Sequence, residues 1–133
     1  MDIIRAGSRP TRTADASNFT GAVMMDPVIT TPQPASLRAL LVTFTPGART
    51  NWHTHPLGQT LFVLSGVGRI QREGEPVRAI HAGDTVWIPP NVRHWHGAAP
   101  DCAMRHMAMQ EERDGATAWA EPVSDADYRA APA

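Results

Sequence analysis

Gly47-Ala-Arg-Thr-Asn-Trp-His53-Thr-His55-Pro-Leu-Gly-Gln59 sets two histidines at alternate positions, then a turn, then a glutamine that opens an apolar run ending at Gly66. In extended chain the side chains of i and i+2 share a face, with α-carbons about 6.6 Å apart, so imidazoles at 53 and 55 can converge on one ion. A metal bound at roughly 2.1 Å by each nitrogen fits between them. Pro56 and Gly58 allow a turn. The strand that Gln59 begins carries Leu61 and Val63 at the same inward parity, so Gln59 can offer its carbonyl oxygen there too.

A second stretch, Gly83-Asp-Thr-Val-Trp-Ile-Pro89-Pro-Asn91-Val-Arg-His94-Trp-His96, again alternates two histidines. Gly83-Asp84 reads as a hairpin turn, and Pro89-Pro90-Asn91 as a strand end that reverses the chain. His94 then supplies a third imidazole. Further on, Met104, His106, Ala108 and Gln110 share one parity. If that parity faces the cavity, His106 brings an uncoordinated imidazole beside the ion as general base or acid, with Gln110 one pleat away. His96 is a second candidate for that role, or a hydrogen-bond partner of a ligand. His81, beside Ala82-Gly83, reads as a solvated turn residue. Leu40, Val42, Leu61 and Trp95 are either pocket lining or plain core.

Outward from these stretches, Gly and Pro supply 10 and 12 of 133 residues, spread between short apolar runs. The runs Leu37–Thr45, Gln59–Ser65, Gly68–Gln71, Val77–His81, Asp84–Ile88 and Ala103–Gln110 have strand length and turn-residue borders, which predicts an all-β barrel or sandwich in one domain. Residues 1–36 read as an N-terminal arm with strands, 37–110 as the barrel core and 111–133 as a tail. In the tail, Ser124 and Asp127 cap a short helix that includes Tyr128 and stops before Pro132. Leu37–Thr45 and Leu61–Leu64 are apolar on both faces, so a partner subunit or the N-terminal arm is expected to cover the outside, in a homodimer or homotetramer.

Composition removes whole classes of function. The 12 basic and 13 acidic residues leave a net charge of −1 with no basic run, which argues against nucleic acid as a partner. All basic residues are Arg, so Schiff-base and phosphate-loop lysine chemistry is excluded. The lone Cys102 can form no internal disulfide and fits a reducing cytoplasm. No stretch from Met1 onward has signal-peptide or membrane-spanning character, so no membrane partner is expected. No serine or cysteine sits in a nucleophile elbow.

The two histidine stretches together resemble the cupin superfamily, small β-barrels of jelly-roll type. The first cupin motif is matched by Gly47, His53, His55, Gln59 and Gly66, and the second by Gly83, Pro89 and His94; Gln59 replaces a glutamate, Asn91 a glycine and Ala98 an asparagine. The resemblance implies an all-β cupin-type jelly roll with an N-terminal arm. The wording Trp52-His-Thr-His-Pro-Leu-Gly-Gln-Thr60 and His94-Trp-His-Gly-Ala-Ala-Pro100 is similar to a bacterial subgroup that includes manganese-dependent hydroxynitrile lyases. For that subgroup the implied metal ligands are His53, His55, Gln59 and His94, with His106 as the proton-transfer group.

The resemblance implies one divalent metal per chain, leaning to manganese, while the nitrogen and oxygen donors also suit iron, nickel or zinc. Four neutral donors leave the divalent charge uncompensated, which favours anionic ligands and Lewis-acid chemistry. The implied activity is cleavage or formation of a small-molecule aromatic (R)-cyanohydrin such as mandelonitrile, with Gln110 hydrogen-bonding the substrate oxygen and Leu40 narrowing the pocket. The alternatives are a metal-dependent oxygenase or isomerase acting on a small carbonyl or aromatic compound, and a non-catalytic ligand-binding cupin.

Overall fold

The computed structural model describes residues 1–113 and 115–133. In chain order the strands are Arg12–Thr13 (β1), Phe19–Thr20 (β2), Val23–Thr30 (β3), Leu37–Phe44 (β4), Arg49–Thr50 (β5), His53–Thr54 (β6), Gln59–Arg72 (β7), Arg78–His81 (β8), Thr85–Ile88 (β9), His94–Ala98 (β10), Met104–Glu111 (β11) and Ala118–Trp119 (β12), followed by the helix Asp125–Arg129 (α1). All pairings are antiparallel, and they curl into the jelly-roll barrel that the sequence predicts. One sheet runs β1-β3-β4-β11-β7-β9; the other runs β2-β5-β10-β7-β8, with β6 on β10 and β12 on β6.

The hinge between the sheets is β7, a single 14-residue strand where the sequence suggested two. Its first half pairs with β11 as far as Gly66↔Met104, and its second half pairs with β10 from Gly68↔Ala98. Gly66 turns this corner at φ +79°, and a β-carbon there would stand 1.8 Å from the Ala103 carbonyl oxygen. Only glycine lets the strand pass so close to its neighbour without breaking.

Gly83-Asp84 is not the hairpin turn the sequence suggested. β8 and β9 both lie against β7, and the turn between them is a local offset bridged by Gly83 N–H donating to Val63 O at 2.9 Å and Val63 N–H donating to Asp84 O at 3.0 Å. A hairpin would set β8 against β9; here β7 is long enough to satisfy both. Pro89-Pro90-Asn91 does reverse the chain, with Asn91 at φ +60°.

Inward parity builds the core from Val42, Phe44, Leu61, Val63, Met104 and Ala108 of the first sheet, facing Ile80 and Ala98 of the second. The C-terminal tail overlies the second sheet, packing Val123 and Tyr128 on Trp52, Val77 and Trp95. Ser124 caps α1 by accepting from Asp127 N–H, as expected. Tyr128 donates to Ala98 O at 2.6 Å, and Arg49 lies over its ring at 4.4 Å while bonding Val123 O and Asp125. The outer face of the first sheet keeps Phe62, Leu64 and Trp87 exposed at 39%, 40% and 58%. The arm's strand β3 pairs with β4 of its own chain, Met25 opposite Val42.

Substituting Gly66 tests the corner. Gly74 also has positive φ, but open space around it, so Gly74→Ala should cost only the left-handed penalty of about 1–2 kcal/mol. Gly66→Ala adds a backbone collision and should lower stability by more than about 3 kcal/mol in urea unfolding. Equal costs for the two would contradict this account of β7.

Candidate metal centre

The barrel encloses a cavity of about 260 Å³, apolar on the side of Met25, Leu40, Val42 and Phe44 and polar on the side of His53, His55, Gln59, His96 and His106. Leu40 and Val42 line it as the sequence allowed; Leu61 belongs to the core, and Trp95 packs against Tyr128 outside the barrel.

The architecture brings the motif residues together from both sheets. His53 on β6 stands directly opposite His94 on β10, while Gln59 opens β7, buried with Leu61 and Val63 as its parity predicted. His55 follows β6 at a turn closed by Gly58 N–H donating to His55 O. Ring centroids separate by 4.2 Å for His53–His94, 5.0 Å for His53–His55 and 5.5 Å for His55–His94. Ring nitrogens of His53, His94 and His96 lie within 4.8 Å of one another, a group that could hold a metal ion. His96 therefore stands nearer the centre than the outlying role the sequence offered for it.

The hydrogen bonds fix which atoms point inward. Nδ1–H of His53 donates to Asn51 O and Nδ1–H of His94 to Val92 O, both at 2.9 Å. A carbonyl only accepts, so in each neutral ring the proton sits on Nδ1 and the lone pair on Nε2. Gln59 donates its Nε2 to Gln110 Oε1 at 2.7 Å, which turns its own Oε1 the other way; Gln110 in turn donates to Glu112. Gln110 thus holds Gln59 through its carbonyl oxygen, and its Nε2 keeps a second N–H beside the one given to Glu112.

Nε2 of His55, His94 and His96 and Oε1 of Gln59 are buried with no partner among the described residues. Buried acceptors left unmatched cost about 1–3 kcal/mol each, and several in one place are what a cation satisfies. The donor set fits a divalent ion of borderline character. Burial pushes His53 and His96 well below the ordinary imidazole range, assisted by neighbouring imidazoles, and takes His55, His94 and His106 down to about 4. All five are neutral near pH 7, the state that ligates.

His106 is fully buried, and its Nε2 meets Nδ1 of His96 at 3.0 Å. His96 bridges His106 to the cluster, its ring 5.4 Å from that of His53 and 4.9 Å from that of His106. The inward parity that the sequence left open for His106 is what the strand shows, with Met104 and Ala108 buried beside it. His81 is solvated beside Asp84, as expected.

The sequence reading missed the tail's part in the site. β12 pairs with β6, Trp119 opposite His53 with ring centroids 4.6 Å apart, and Thr117 Oγ1 lies 3.1 Å from Nδ1 of His55. Asn51 ties the tail in place by donating to Ala120 O and Ser17 O. A two-residue strand carries no periodicity, so nothing in the sequence signalled it.

Comparison with known proteins agrees with the fold. The cupin domain family matches residues 40–108. An (R)-mandelonitrile lyase of Granulicella tundricola is 54% identical over 97% of this chain and 99% of its own length. A cupin-like protein from Thermotoga maritima superposes with a TM-score of 0.85 at 40% identity, covering 97% of this chain and 96% of that one. The polyketide cyclase RemF from Streptomyces resistomycificus shares the fold at 17% identity, with a TM-score of 0.76 over 96% of this chain and 90% of its own. The jelly roll, the paired histidine motifs and these matches together show that the chain belongs to the cupin family.

Proposed function

We propose that this chain is a metal-dependent hydroxynitrile lyase that splits an aromatic (R)-cyanohydrin such as mandelonitrile into aldehyde and hydrogen cyanide, or runs the reverse addition. The observation that carries the reading is a half-apolar cavity whose polar wall combines unmatched neutral donors with a buried histidine pair, in a chain 54% identical to an (R)-mandelonitrile lyase. We assign the metal ligands as His53, His55, Gln59 and His94, and the metal as one divalent ion per chain, manganese. Bound there among neutral donors, a divalent ion would supply Lewis acidity and uncompensated positive charge for a developing anion.

The chain's own residues do the rest. Met25, Leu40, Val42 and Phe44 receive the aromatic ring, and Leu40 sets the depth available to it. His96 presents Nε2 to the site and its Nδ1 to His106. The hydroxyl proton enters at His96 Nε2 as the Nδ1 proton passes to Nε2 of His106, which makes His106 the terminal base. Gln110 keeps the carbonyl of Gln59 turned inward. The lone Cys102 suits a reducing cytoplasm, the compartment we assign. We further propose that the apolar face carrying Phe62 and Leu64 is closed by a second copy, in a homodimer or homotetramer.

Purified protein should carry stoichiometric metal and release cyanide from mandelonitrile; chelation should abolish release and manganese should restore it. A manganese-loaded chain that consumes dioxygen, or binds small acids without turnover, would overturn the lyase reading. His106→Ala should lower turnover by about a hundredfold or more with metal content unchanged; full activity in that variant would remove His106 from the mechanism. Phe62→Glu should shift the protein to monomer in light scattering, and a parent already monomeric would refute the assembly.

A further inference from the structure

His53 and His94 are each oriented by a carbonyl two residues upstream, that of Asn51 or Val92, in the segment leading into their strand. His55 lacks that arrangement: its Nδ1 is held by Thr117 Oγ1, 62 residues further along the chain. A backbone carbonyl cannot be removed by substitution, whereas this acceptor is a side chain in a segment outside both histidine motifs.

The placement of Thr117 is fixed by the strand that follows it. Ala118 pairs with Thr54 and Trp119 with His53, Ala120 N–H donates to Trp52 O at 2.8 Å, and Trp52 N–H donates to Glu121 O at 3.1 Å. The hydroxyl is thus anchored to the same short strand that carries the ligands. Nε2 of His55 is buried with no partner among the described residues, so the Nδ1–H tautomer, with the hydroxyl accepting, is the one that leaves a lone pair for a cation.

We propose that Thr117 is a positioning residue of the metal centre: by accepting Nδ1–H of His55 it selects the ligating tautomer and aims Nε2 at the ion. The inference rests on the reading of His55 as a ligand. Outer partners of this kind change metal affinity by about 10–100-fold when removed. It also makes the C-terminal tail part of the centre, so that loosening the tail loosens the ion.

The test compares parent, Thr117→Val, Thr117→Ser and His55→Ala by manganese competition against a fluorescent chelator, alongside ¹⁵N-histidine NMR of the metal-free proteins. Thr117→Val should bind manganese about 10–100-fold more weakly, while Thr117→Ser, which keeps the hydroxyl, stays close to the parent. In the NMR spectra His55 should be the Nδ1–H tautomer in the parent and in Thr117→Ser, and a mixture in Thr117→Val, a readout that a general loosening of the tail does not mimic because serine rescues it. Unchanged affinity in Thr117→Val, with His55→Ala weakened, would overturn the role of Thr117 alone. Unchanged affinity in His55→Ala would overturn the ligand reading, and this proposal with it.

Discussion

Several polar atoms share one buried space in this protein, and no partner among the described residues meets them. Imidazole and amide lone pairs are costly to bury unmatched, and like lone pairs facing one another add to the cost. They persist because the backbone enforces them. His53 and His94 are held as Nδ1–H tautomers by the carbonyls of Asn51 and Val92, in the segments leading into β6 and β10, with Nε2 turned to the centre. Pair formation between β6 and β10 places these two residues opposite each other, which fixes their separation before any ligand arrives. A site of this kind is preorganised: the cost of gathering the donors is met by folding, and an ion that satisfies them returns stabilisation to the fold.

The barrel exists, in functional terms, to bring Gln59 to that pair. Gln59 lies on the first sheet's half of β7 and His94 on the second sheet, and β7 passes from one sheet to the other at the Gly66 corner. The apolar wall of the cavity comes from β3 and β4 of the first sheet and the polar wall draws on both sheets, which gives the pocket one face suited to a ring and one suited to charge development. The tail then closes the structure on the outside through Tyr128 and Arg49, and beside the ligands through Thr117 and Trp119.

Much of this was legible in the residues. The alternation of His53 with His55, the turn before Gln59 and the left-handed Asn91 are local features, and local spacing determines them. Strand periodicity grouped His106 with Met104, Ala108 and Gln110 but left open which parity faces inward, which the fold decides. What escaped was set by distant pairing: that Gly83-Asp84 continues along β7 instead of reversing, that His96 bridges His106 to the cluster, that Gln110 holds Gln59 through its carbonyl oxygen, and that the tail covers one sheet. Each depends on which strand lies beside which, and a two-residue strand such as β12 leaves no pattern to read. The strands apolar on both faces, Leu37–Thr45 and Leu61–Leu64, lie in the first sheet, whose outer face keeps Phe62 and Leu64 exposed, while the tail covers the second.

The central claim is that three imidazoles and one amide oxygen face a single ion. X-ray absorption at the metal edge of the manganese-loaded protein tests it most directly. The account predicts a nitrogen and oxygen shell at about 2.1 Å with the outer-shell scattering of three imidazole rings and no sulfur. A shell of oxygen alone, without imidazole scattering, would contradict it.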